Sequence, residues 1–199
     1  NPKVSDWLEF RPSGRVILHT GKVNIGQHIT SALVLIAAEE LNIDPNQIAV
    51  AQTRTGSSPN ENYTVGSQSM QHSGYAIKKA AATARNELTV RAAKFFSVSV
   101  EQIKIEDGNL FIEKTNQSIS YWELLKNAPL ECYVDETVEV KNHALHQLQG
   151  KHHIARGMWD IVTGKYEFIQ DFKLPNMLHA RIIRPPNYYS KFIKRVFSI

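Results

Sequence analysis

The chain has 199 residues, of which 42% are hydrophobic and 21% are charged, and its formal net charge is +4. This composition predicts a globular protein with a sizeable core, neither disordered nor membrane-spanning, because no apolar run approaches the length that a bilayer requires. Cys132 is the single cysteine. An intramolecular disulfide and a multi-cysteine iron–sulfur or zinc site are therefore excluded within this chain.

The basic pI of about 9.1 leaves nucleic-acid binding open as one interpretation. Lysines and arginines are scattered and form no stripe interleaved with aromatic residues, so a mixed, solvated surface is favoured and no nucleic-acid partner is predicted. The sequence begins at Asn1 rather than at Met and ends on the apolar run Phe197–Ile199. We therefore expect a piece of a longer polypeptide, and the sequence does not indicate its compartment.

Signals for strands and helices alternate along the first part of the chain. A turn at Pro12–Gly14 precedes the β-branched run Arg15–Thr20, which predicts a hairpin. Apolar residues recur at helical spacing over Gln27–Leu41, and the Asp44–Asn46 turn then leads into a predicted strand over Gln47–Thr55. This alternation is typical of an α+β domain.

The turn before the first helix, Ile25–His28, is one candidate binding element. Gly26 permits a close backbone approach, and a helix N-terminus presents N–H groups without internal partners at the positive end of the helix dipole. No acidic residue lies between Thr20 and Ala38. Such a helix end is suited to anions and oxygen-rich ligands.

A polar loop rich in small residues, Thr55–Ser69, precedes a second helix whose apolar residues keep helical spacing to Phe95. Ser67 or Ser69 can cap this helix. Loops of this length are usually functional or disordered, and the regular helix that follows favours function. The last four loop residues offer N–H groups, two hydroxyls and an amide to a phosphate, and an ordinary capped helix is the alternative.

Beyond the second helix, Val100–Lys114 predicts a hairpin that turns at Asp107–Asn109, because Asp-Gly and Gly-Asn pairs supply positive φ angles. Ser120 and Glu123 have the spacing of a capping box at the start of a short helix. Alternating residues over Glu131–Val140 then predict an edge strand.

Four histidines between Asn142 and Ile154 allow two interpretations. Imidazoles at such separations can converge on a metal ion. No carboxylate lies nearby, and the segment is typical of an interdomain linker, which is the interpretation we favour. The four residues are His143, His146, His152 and His153.

Two of these segments resemble the molybdenum-cofactor-binding large subunit of the xanthine dehydrogenase and aldehyde oxidase family. In that family a segment of the form G-K-x-E-x-G-Q-G leads into an Ala/Leu-rich helix. The corresponding residues here are Gly21–His28, with Asn24 in place of Glu and His28 in place of the last Gly. A second family segment, P-x-x-x-x-T-x-G-S-x-S before a long Ala-rich helix, is matched at Pro59, Thr64, Gly66, Ser67 and Ser69.

The C-terminal part resembles the opening of the α/β hammerhead domain of the same family. Leu174–Pro186 matches a proline-bounded family segment in which Asn176 replaces the usual Gly, and Met177–Ile183 within it predicts a buried strand. The resemblance implies an α+β fold, a mixed sheet with two packed helices over residues 1–145, followed by a partial hammerhead domain over residues 146–199. Further matching positions are Asp160, Thr163, Gly164, Phe168 and Asp171.

The resemblance implies a fragment of a molybdenum hydroxylase large subunit, of the isoquinoline 1-oxidoreductase or nicotinate dehydrogenase type. Such an enzyme oxidises an aldehyde or an N-heterocycle with water as the oxygen source. The implied cofactor is the molybdenum cofactor, as molybdopterin or its cytosine dinucleotide form, held without a protein ligand to the metal. Implied partners are a small [2Fe-2S] subunit, the remaining domains of the parent protein and a small-molecule substrate.

The family's catalytic glutamate lies downstream of the matched region, so no catalytic residue is expected in this fragment and the isolated fragment is expected to be inactive. Gln27 is expected to hydrogen-bond near the oxygen ligands of the metal. The cofactor-binding residues that the resemblance implies are Gly26, Gln27, His28, Thr64, Gly66, Ser67 and Ser69.

A cofactor-free structural or assembly module that retains the fold is the alternative function, favoured by the departures at Asn24 and His28. If the resemblance carries function, the N-terminal ends of the two helices should open onto one concave surface. We also expect the part from Gly150 onward to be an incomplete unit whose apolar edge pairs with another chain. That edge comprises Phe192, Ile193, Val196, Phe197 and Ile199.

Overall fold

The computed structural model describes residues 2–191 and divides the chain into two units, Asn1–Met158 and Trp159–Ile199. The strands of the first unit are β1 (Leu8–Arg11), β2 (Arg15–Leu18), β3 (Ile48–Val50), β4 (Lys104–Glu106), β5 (Asn109–Ile112) and β6 (Gln117–Ser120). Its helices are α1 (Ile29–Leu41), α2 (Tyr75–Phe96) and α3 (Tyr121–Leu125), and a short α4 (Met158–Val162) contains the boundary between the units. The predicted α+β class is confirmed.

The first sheet has the order β1-β2-β3 and is mixed, since β1 pairs antiparallel with β2 and β3 pairs parallel with β2. Val16 and Leu18 alternate with more exposed neighbours and are fully buried, which is why the β-branched run forms a half-buried strand. The predicted hairpin is confirmed. Both predicted strands end early, at Leu18 and Val50, because the chain beyond each leaves the sheet to form the loops described below.

The two longer helices pack against each other and supply much of the core. Leu33, Ala37 and Leu41 of α1 and Ala84 and Leu88 of α2 are fully buried. The small alanine side chains allow the helix backbones to approach closely, as their spacing in the sequence predicts.

The helix that was predicted from the second loop begins with a widened turn. Ser69–Gly74 is π-helical, and regular α-helix starts only at Tyr75. Gly74 lies against α1, where an added Cβ would come within 3.1 Å of Ile36 Cδ1. Short π-helical turns within α-helices occur frequently at functional sites.

The second sheet is antiparallel, with the order β4-β5-β6. The predicted hairpin turns at Asp107 and Gly108, which have φ angles of 45° and 72°. Ser120 and Glu123 form the predicted capping box of α3. The third strand, Gln117–Ser120, was missed because three of its four residues are polar and it is too short to show a hydrophobic period.

The edge strand predicted over Glu131–Val140 is wrong. This segment forms one isolated bridge, between Tyr133 and Lys3, and otherwise runs along α2 without a strand partner. Its carbonyl groups are occupied by side chains of that helix. Lys79 Nζ donates to the carbonyl oxygens of Glu136 at 2.7 Å and Val138 at 2.9 Å, and Arg85 Nη2 donates to Glu139 O at 3.2 Å.

The buried strand predicted over Met177–Ile183 in the second unit is also wrong. No strand occurs between residues 159 and 191, and Leu178, Ile182 and Ile183 are exposed. An apolar strand needs a neighbouring strand and a covering layer, and the described part of this unit provides neither. The predicted apolar edge from Phe192 to Ile199 lies outside the described residues.

Candidate functional site

The turn before α1 combines unusual backbone angles with an exposed surface. Gly26 has a φ of +101° and His28 a φ of 54°. The side-chain amide of Gln27 folds back onto its own loop, where its Oε1 accepts from Ile25 N at 2.6 Å and its Nε2 donates to Val23 O at 3.1 Å. The turn is therefore fixed by internal hydrogen bonds while Gly26 and Gln27 remain accessible.

Asn24 supplies the cap that the first turn of α1 otherwise lacks. His28 occupies the N-cap position but makes no side-chain cap hydrogen bond. Asn24 Oδ1 accepts from Thr30 N at 3.2 Å, and Asn24 Nδ2 donates to Thr30 Oγ1 at 2.9 Å. The carboxylate of a Glu at this position, as in the family pattern, could accept hydrogen bonds from both Thr30 N and Thr30 Oγ1. The Asn24 amide instead accepts from Thr30 N and donates to Thr30 Oγ1.

The second loop enters its helix through another left-handed turn. Gly66 and Ser67 have φ angles of 62° and 56°, and both are exposed. Ser69 is buried as the first residue of the π-helical segment. Thr64 of the second loop contacts the first loop, because its Oγ1 accepts from Val23 N at 3.1 Å.

The two loops are joined by a set of hydrogen bonds around one lysine and one glutamate, which we term the loop clasp (Thr20, Gly21, Lys22, Glu61 and Tyr63). Lys22 is almost fully buried, and its Nζ donates to the carbonyl oxygens of Glu61 and of Tyr63, the latter at 2.8 Å. Glu61 Oε2 accepts from Thr20 Oγ1 and from Gly21 N, both at 2.6 Å.

Close contact between the loops depends on Gly21. A Cβ added there would overlap the carbonyl oxygen of Pro59 and come within 3.3 Å of Glu61 N. On the other side of the clasp, Trp7 Nε1 donates to Glu61 Oε1 at 3.3 Å. Loop residues that are about 40 positions apart in the sequence are thereby held side by side.

Beside the clasp lies a cleft of about 350 Å³. Ser73 of the π-helical segment lines it, and the buried Ser73 Oγ has no hydrogen-bond partner among the described residues. The cleft is lined by Trp7, Lys22, Glu61, Asn62, Gln68, His72, Ser73 and Ala76.

A second polar cluster lies at the other end of α1. The buried Glu39 carboxylate accepts from three consecutive backbone N–H groups, those of residues 147–149, at 2.6–3.1 Å, and from Lys141 Nζ at 2.8 Å. Burial by itself raises the pKa of Glu39, but Lys141 and the three N–H groups outweigh burial and lower this pKa to about 2.

The neighbouring Glu40 extends this cluster to α2. Its carboxylate is fully buried and accepts from Arg85 Nη1 at 2.9 Å and from Lys141 N at 3.0 Å. We term these groups the carboxylate anchor (Glu39, Glu40, Arg85, Lys141 and residues 147–149). It holds residues 141–149 against α1.

Three of the four histidines that suggested a metal site contact another ring or the backbone. The rings of His143 and His146 lie 4.7 Å apart, and ring nitrogens of His146 and His153 lie 3.3 Å from Lys141 O and 2.8 Å from Leu148 O. Within residues 2–191, no group of three His, Cys, Asp or Glu side chains is arranged to hold a metal ion.

Comparison with known proteins identifies the family of this chain. The family model described as Molybdopterin cofactor-binding domain matches residues 2–169. The chain belongs to this family. A nicotinate dehydrogenase subunit of Pseudomonas putida is 32% identical over 180 residues, which cover 90% of this chain and 15% of that relative. The chain thus spans a small part of the length of this curated relative, and the predicted family is confirmed.

Solved structures share the fold of the molybdopterin cofactor-binding domain. Reconstituted CO dehydrogenase from Oligotropha carboxidovorans superimposes with a TM-score of 0.55 at 23% identity, over 65% of this chain and 18% of that chain. Quinoline 2-oxidoreductase from Pseudomonas putida 86 gives a TM-score of 0.52 at 21% identity, over 59% of this chain and 15% of that chain.

The donor set around the two loops fits an oxygen-rich cofactor. Ser67 and Gln68 present a hydroxyl and an amide at the second turn. In the adjoining cleft, Ser73 Oγ is a buried polar atom that has no partner within residues 2–191. The oxygens of the Glu61 carboxylate are engaged by Thr20, Gly21 and Trp7. Donor groups that remain free therefore suit phosphate and pterin oxygens.

His28 departs from the family pattern in its side chain, while its backbone conformation is one that glycine also adopts. Its φ of 54° lies in the left-handed region that favours glycine, and histidine is one of the residue types that tolerate it. His28 is half-buried and lines a separate groove of about 940 Å³ beside α1. Within the described residues, the structure forms no hydrogen bond between His28 and the second loop.

Sequence reasoning missed the residues that join the loops. Lys22 was noted only as part of the matched pattern, and Trp7 and Glu61 were assigned no role. One signal was present, because Glu61 is the only acidic residue in the loop Thr55–Ser69. No residue pattern indicated that its carboxylate would bind Thr20 and Gly21.

Among residues 2–191, no helix has both the length and the apolar character needed to cross a membrane.

Proposed function

We propose that this chain is the molybdenum-cofactor-binding segment of a molybdenum hydroxylase large subunit, which oxidises an aldehyde or an N-heterocycle with water as the oxygen source. The observation that carries the proposal is the direct contact between the two loops through Val23 N and Thr64 Oγ1. A molybdopterin cofactor has a metal-bearing end and a phosphate end. Two turns side by side can bind both ends of one such molecule.

The residues we propose for cofactor binding divide into two groups. At the first turn, backbone N–H groups around Gly26 and the amide of Gln27, once it leaves its present partners, would bind the metal-bearing end, and His28 closes the turn. At the second, N–H and hydroxyl groups would bind the phosphate end. When bound, the cofactor supplies the redox centre of the reaction. The second group comprises Thr64, Gly66, Ser67 and Ser69.

Gln27 has to change partners if it is to contact the cofactor. Its amide oxygen and nitrogen are both engaged, with Ile25 N and Val23 O. Each of these hydrogen bonds closes a short loop at the surface, where water can replace it at a net cost of about 1 kcal/mol. Rotation of an exposed side chain is therefore compatible with cofactor binding.

We further propose the wider assignments that the resemblance implies. The cofactor is molybdopterin or its cytosine dinucleotide form, residues 1–145 form the cofactor-binding segment, and residues 146–199 begin a hammerhead domain. Partners are a small [2Fe-2S] subunit, the remaining domains and a small-molecule substrate. Support for partner subunits comes from the name of the Pseudomonas putida relative, which is itself one subunit of a nicotinate dehydrogenase.

The alternative of a cofactor-free structural module loses most of its support. It rested on Asn24 and His28, yet Asn24 caps the first turn of α1 and His28 keeps the backbone angle typical of glycine. Neither substitution blocks the two turns.

Molybdenum and pterin analysis of the complete protein, purified with its partner subunits, tests the proposal. We expect molybdenum and pterin in equal amounts, together with oxidation of aldehydes or N-heterocycles. Gln27→Ala should lower this activity at least about tenfold while lowering the free energy of unfolding by no more than about 2 kcal/mol, the value of the two surface hydrogen bonds that it removes. A complete protein without molybdenum and pterin would contradict the proposal.

A further inference from the structure

The two turns proposed to bind the cofactor are separate in sequence, and neither belongs to a sheet that would fix their distance. The hydrogen bonds that span them are those of the loop clasp and the bond from Val23 N to Thr64 Oγ1. A cofactor that contacts both turns needs their separation to be set before it binds, since each loop that must be ordered on binding lowers its affinity.

From this arrangement we infer that Lys22 and Glu61 are positioning residues, which set the distance between the two cofactor-binding turns and so determine cofactor retention. This inference rests on the proposed function. Neither side chain is assigned a contact with the cofactor's reacting atoms.

Lys22 joins the loops through backbone atoms rather than through a charge pair. Its Nζ donates to the carbonyl oxygens of Glu61 and Tyr63, which precede the second turn by only a few residues. A buried ammonium group that is bound to two carbonyls of one loop fixes the path of that loop, because leaving the ammonium unpaired would be costly.

Glu61 makes the reverse connection. Its carboxylate oxygen Oε2 accepts from Thr20 Oγ1 and Gly21 N in the first loop. Hydrogen bonds to a carboxylate are stronger than those between neutral groups. Each loop thus supplies one charged side chain that binds the backbone of the other, and the two connections lock one relative position.

Lys79 offers a matched control elsewhere in the molecule. Its Nζ also donates to two backbone carbonyls, those of Glu136 and Val138, and it is largely buried like Lys22. Lys79 binds the segment Glu131–Val140 to α2 and contacts neither cofactor-binding turn. Lys22→Met and Lys79→Met therefore remove the same kind of interaction from two different places.

The test compares these two variants in the complete protein, purified with its partner subunits. Molybdenum and pterin per polypeptide and the thermal unfolding midpoint are measured for each. We expect both midpoints to fall, and we expect Lys22→Met alone to lose cofactor, by about tenfold, the effect of losing a hydrogen bond to a charged group. Glu61→Gln serves as a second variant if Lys22→Met does not fold, and its cofactor content should also be lower than that of the wild type.

Two results would overturn the inference. One is full cofactor content in Lys22→Met or, if that variant does not fold, in Glu61→Gln. The other is an equal loss from the Lys22 and Lys79 variants that follows their loss of stability. Hydrogen exchange gives an independent readout, because the clasp should slow exchange in residues 23–28 and 64–69.

A wild-type protein without molybdenum would contradict the proposed function separately from the clasp. In that case faster exchange at both turns in Lys22→Met still supports the positioning role, and unchanged exchange overturns it.

Discussion

The loop clasp and the carboxylate anchor, one before the N-terminus of α1 and one at its C-terminal end, use charged side chains in different ways. Near the N-terminal end of α1, the loop clasp uses a lysine and a glutamate to join two loops whose turns remain exposed. At the C-terminal end of α1, the carboxylate anchor buries two glutamates whose oxygens accept from backbone N–H groups and from Lys141 and Arg85. Lys22 of the clasp and the two glutamates of the anchor are buried, but only the clasp borders turns with accessible donor groups.

This difference separates a structural role from a binding role. In the carboxylate anchor, the oxygens of Glu39 and Glu40 are engaged by Lys141, Arg85 and backbone N–H groups, so the main contribution of this cluster is to the free energy of unfolding. A cluster that fixes exposed turns contributes to their preorganisation, which affects ligand affinity more than folding. Substitutions at the two ends should therefore affect different measurements.

Loss of the Glu39 carboxylate should give the largest effect on stability. Glu39→Ala leaves the Lys141 ammonium and three backbone N–H groups without their acceptor, and breaking such a buried pair costs about 3–5 kcal/mol. Urea unfolding measures this loss. Glu9→Ala, which removes a half-exposed ion pair with Arg11, is the control and should cost less than about 1 kcal/mol. A loss below about 1 kcal/mol in Glu39→Ala would contradict a stabilising anchor.

Acid should reduce the contribution of Glu39 to the free energy of unfolding. The pKa of Glu39 is about 2 in the folded protein against an ordinary value of 4.5, so its stabilising contribution is complete above pH 4.5 and is lost as the pH falls through 2. The difference corresponds to about 3 kcal/mol. Urea unfolding at a series of pH values should show this loss in the wild type and a shallower one in Glu39→Ala. Equal slopes would exclude Glu39 as the source.

At the clasp, Gly21→Ala should have an intermediate effect. The added Cβ would overlap Pro59 O, so the loops must separate, and overpacking of this kind costs about 1–3 kcal/mol. Gly74→Ala is the matched control, since its Cβ would meet the ends of flexible side chains, Ile36 at 3.1 Å and Leu33 and Met70 at 3.8 Å, and no backbone atom at these distances. Denaturant unfolding of the two variants checks the difference, and an equal or smaller cost for Gly21→Ala would show that the loops are not in close contact.

The smallest effect is expected at the cap of α1. Asn24→Ala removes the acceptor for Thr30 N and should lower the free energy of unfolding by about 1 kcal/mol. Asn24→Asp keeps that acceptor and should retain more of this stability than the alanine variant. If Asn24→Ala and Asn24→Asp are equally stable in denaturant unfolding, Asn24 does not cap this helix.

Local patterns predicted the elements whose residues determine their own structure. The hairpin around Pro12–Gly14, the turn at Asp107–Asn109 and the capping box at Ser120 all depend on neighbours within a few residues, and each was confirmed. The two packed helices followed from their apolar spacing. The resemblance supplied the family, which the composition alone did not indicate.

The wrongly predicted edge strand and the missed loop clasp share a different cause. Glu131–Val140 has the alternation of a strand, but Lys79 and Arg85, about fifty residues away in sequence, occupy its carbonyl groups. The loop clasp likewise joins Lys22 and Glu61 across about forty residues. Pairings between a side chain and a distant backbone leave no periodic signal, so sequence reasoning could identify the cofactor-binding turns as candidates but not the contacts that bring them together.

If one molybdenum cofactor contacts both turns, the metal has to lie beside the first of them. Anomalous diffraction at the molybdenum absorption edge, from crystals of the complete protein, locates the metal. We predict a molybdenum peak beside the turn at Gly26 and Gln27, with pterin and phosphate density reaching Ser67 and Ser69. A molybdenum peak remote from both turns, with the loop clasp intact between them, would contradict contact of one cofactor with both turns.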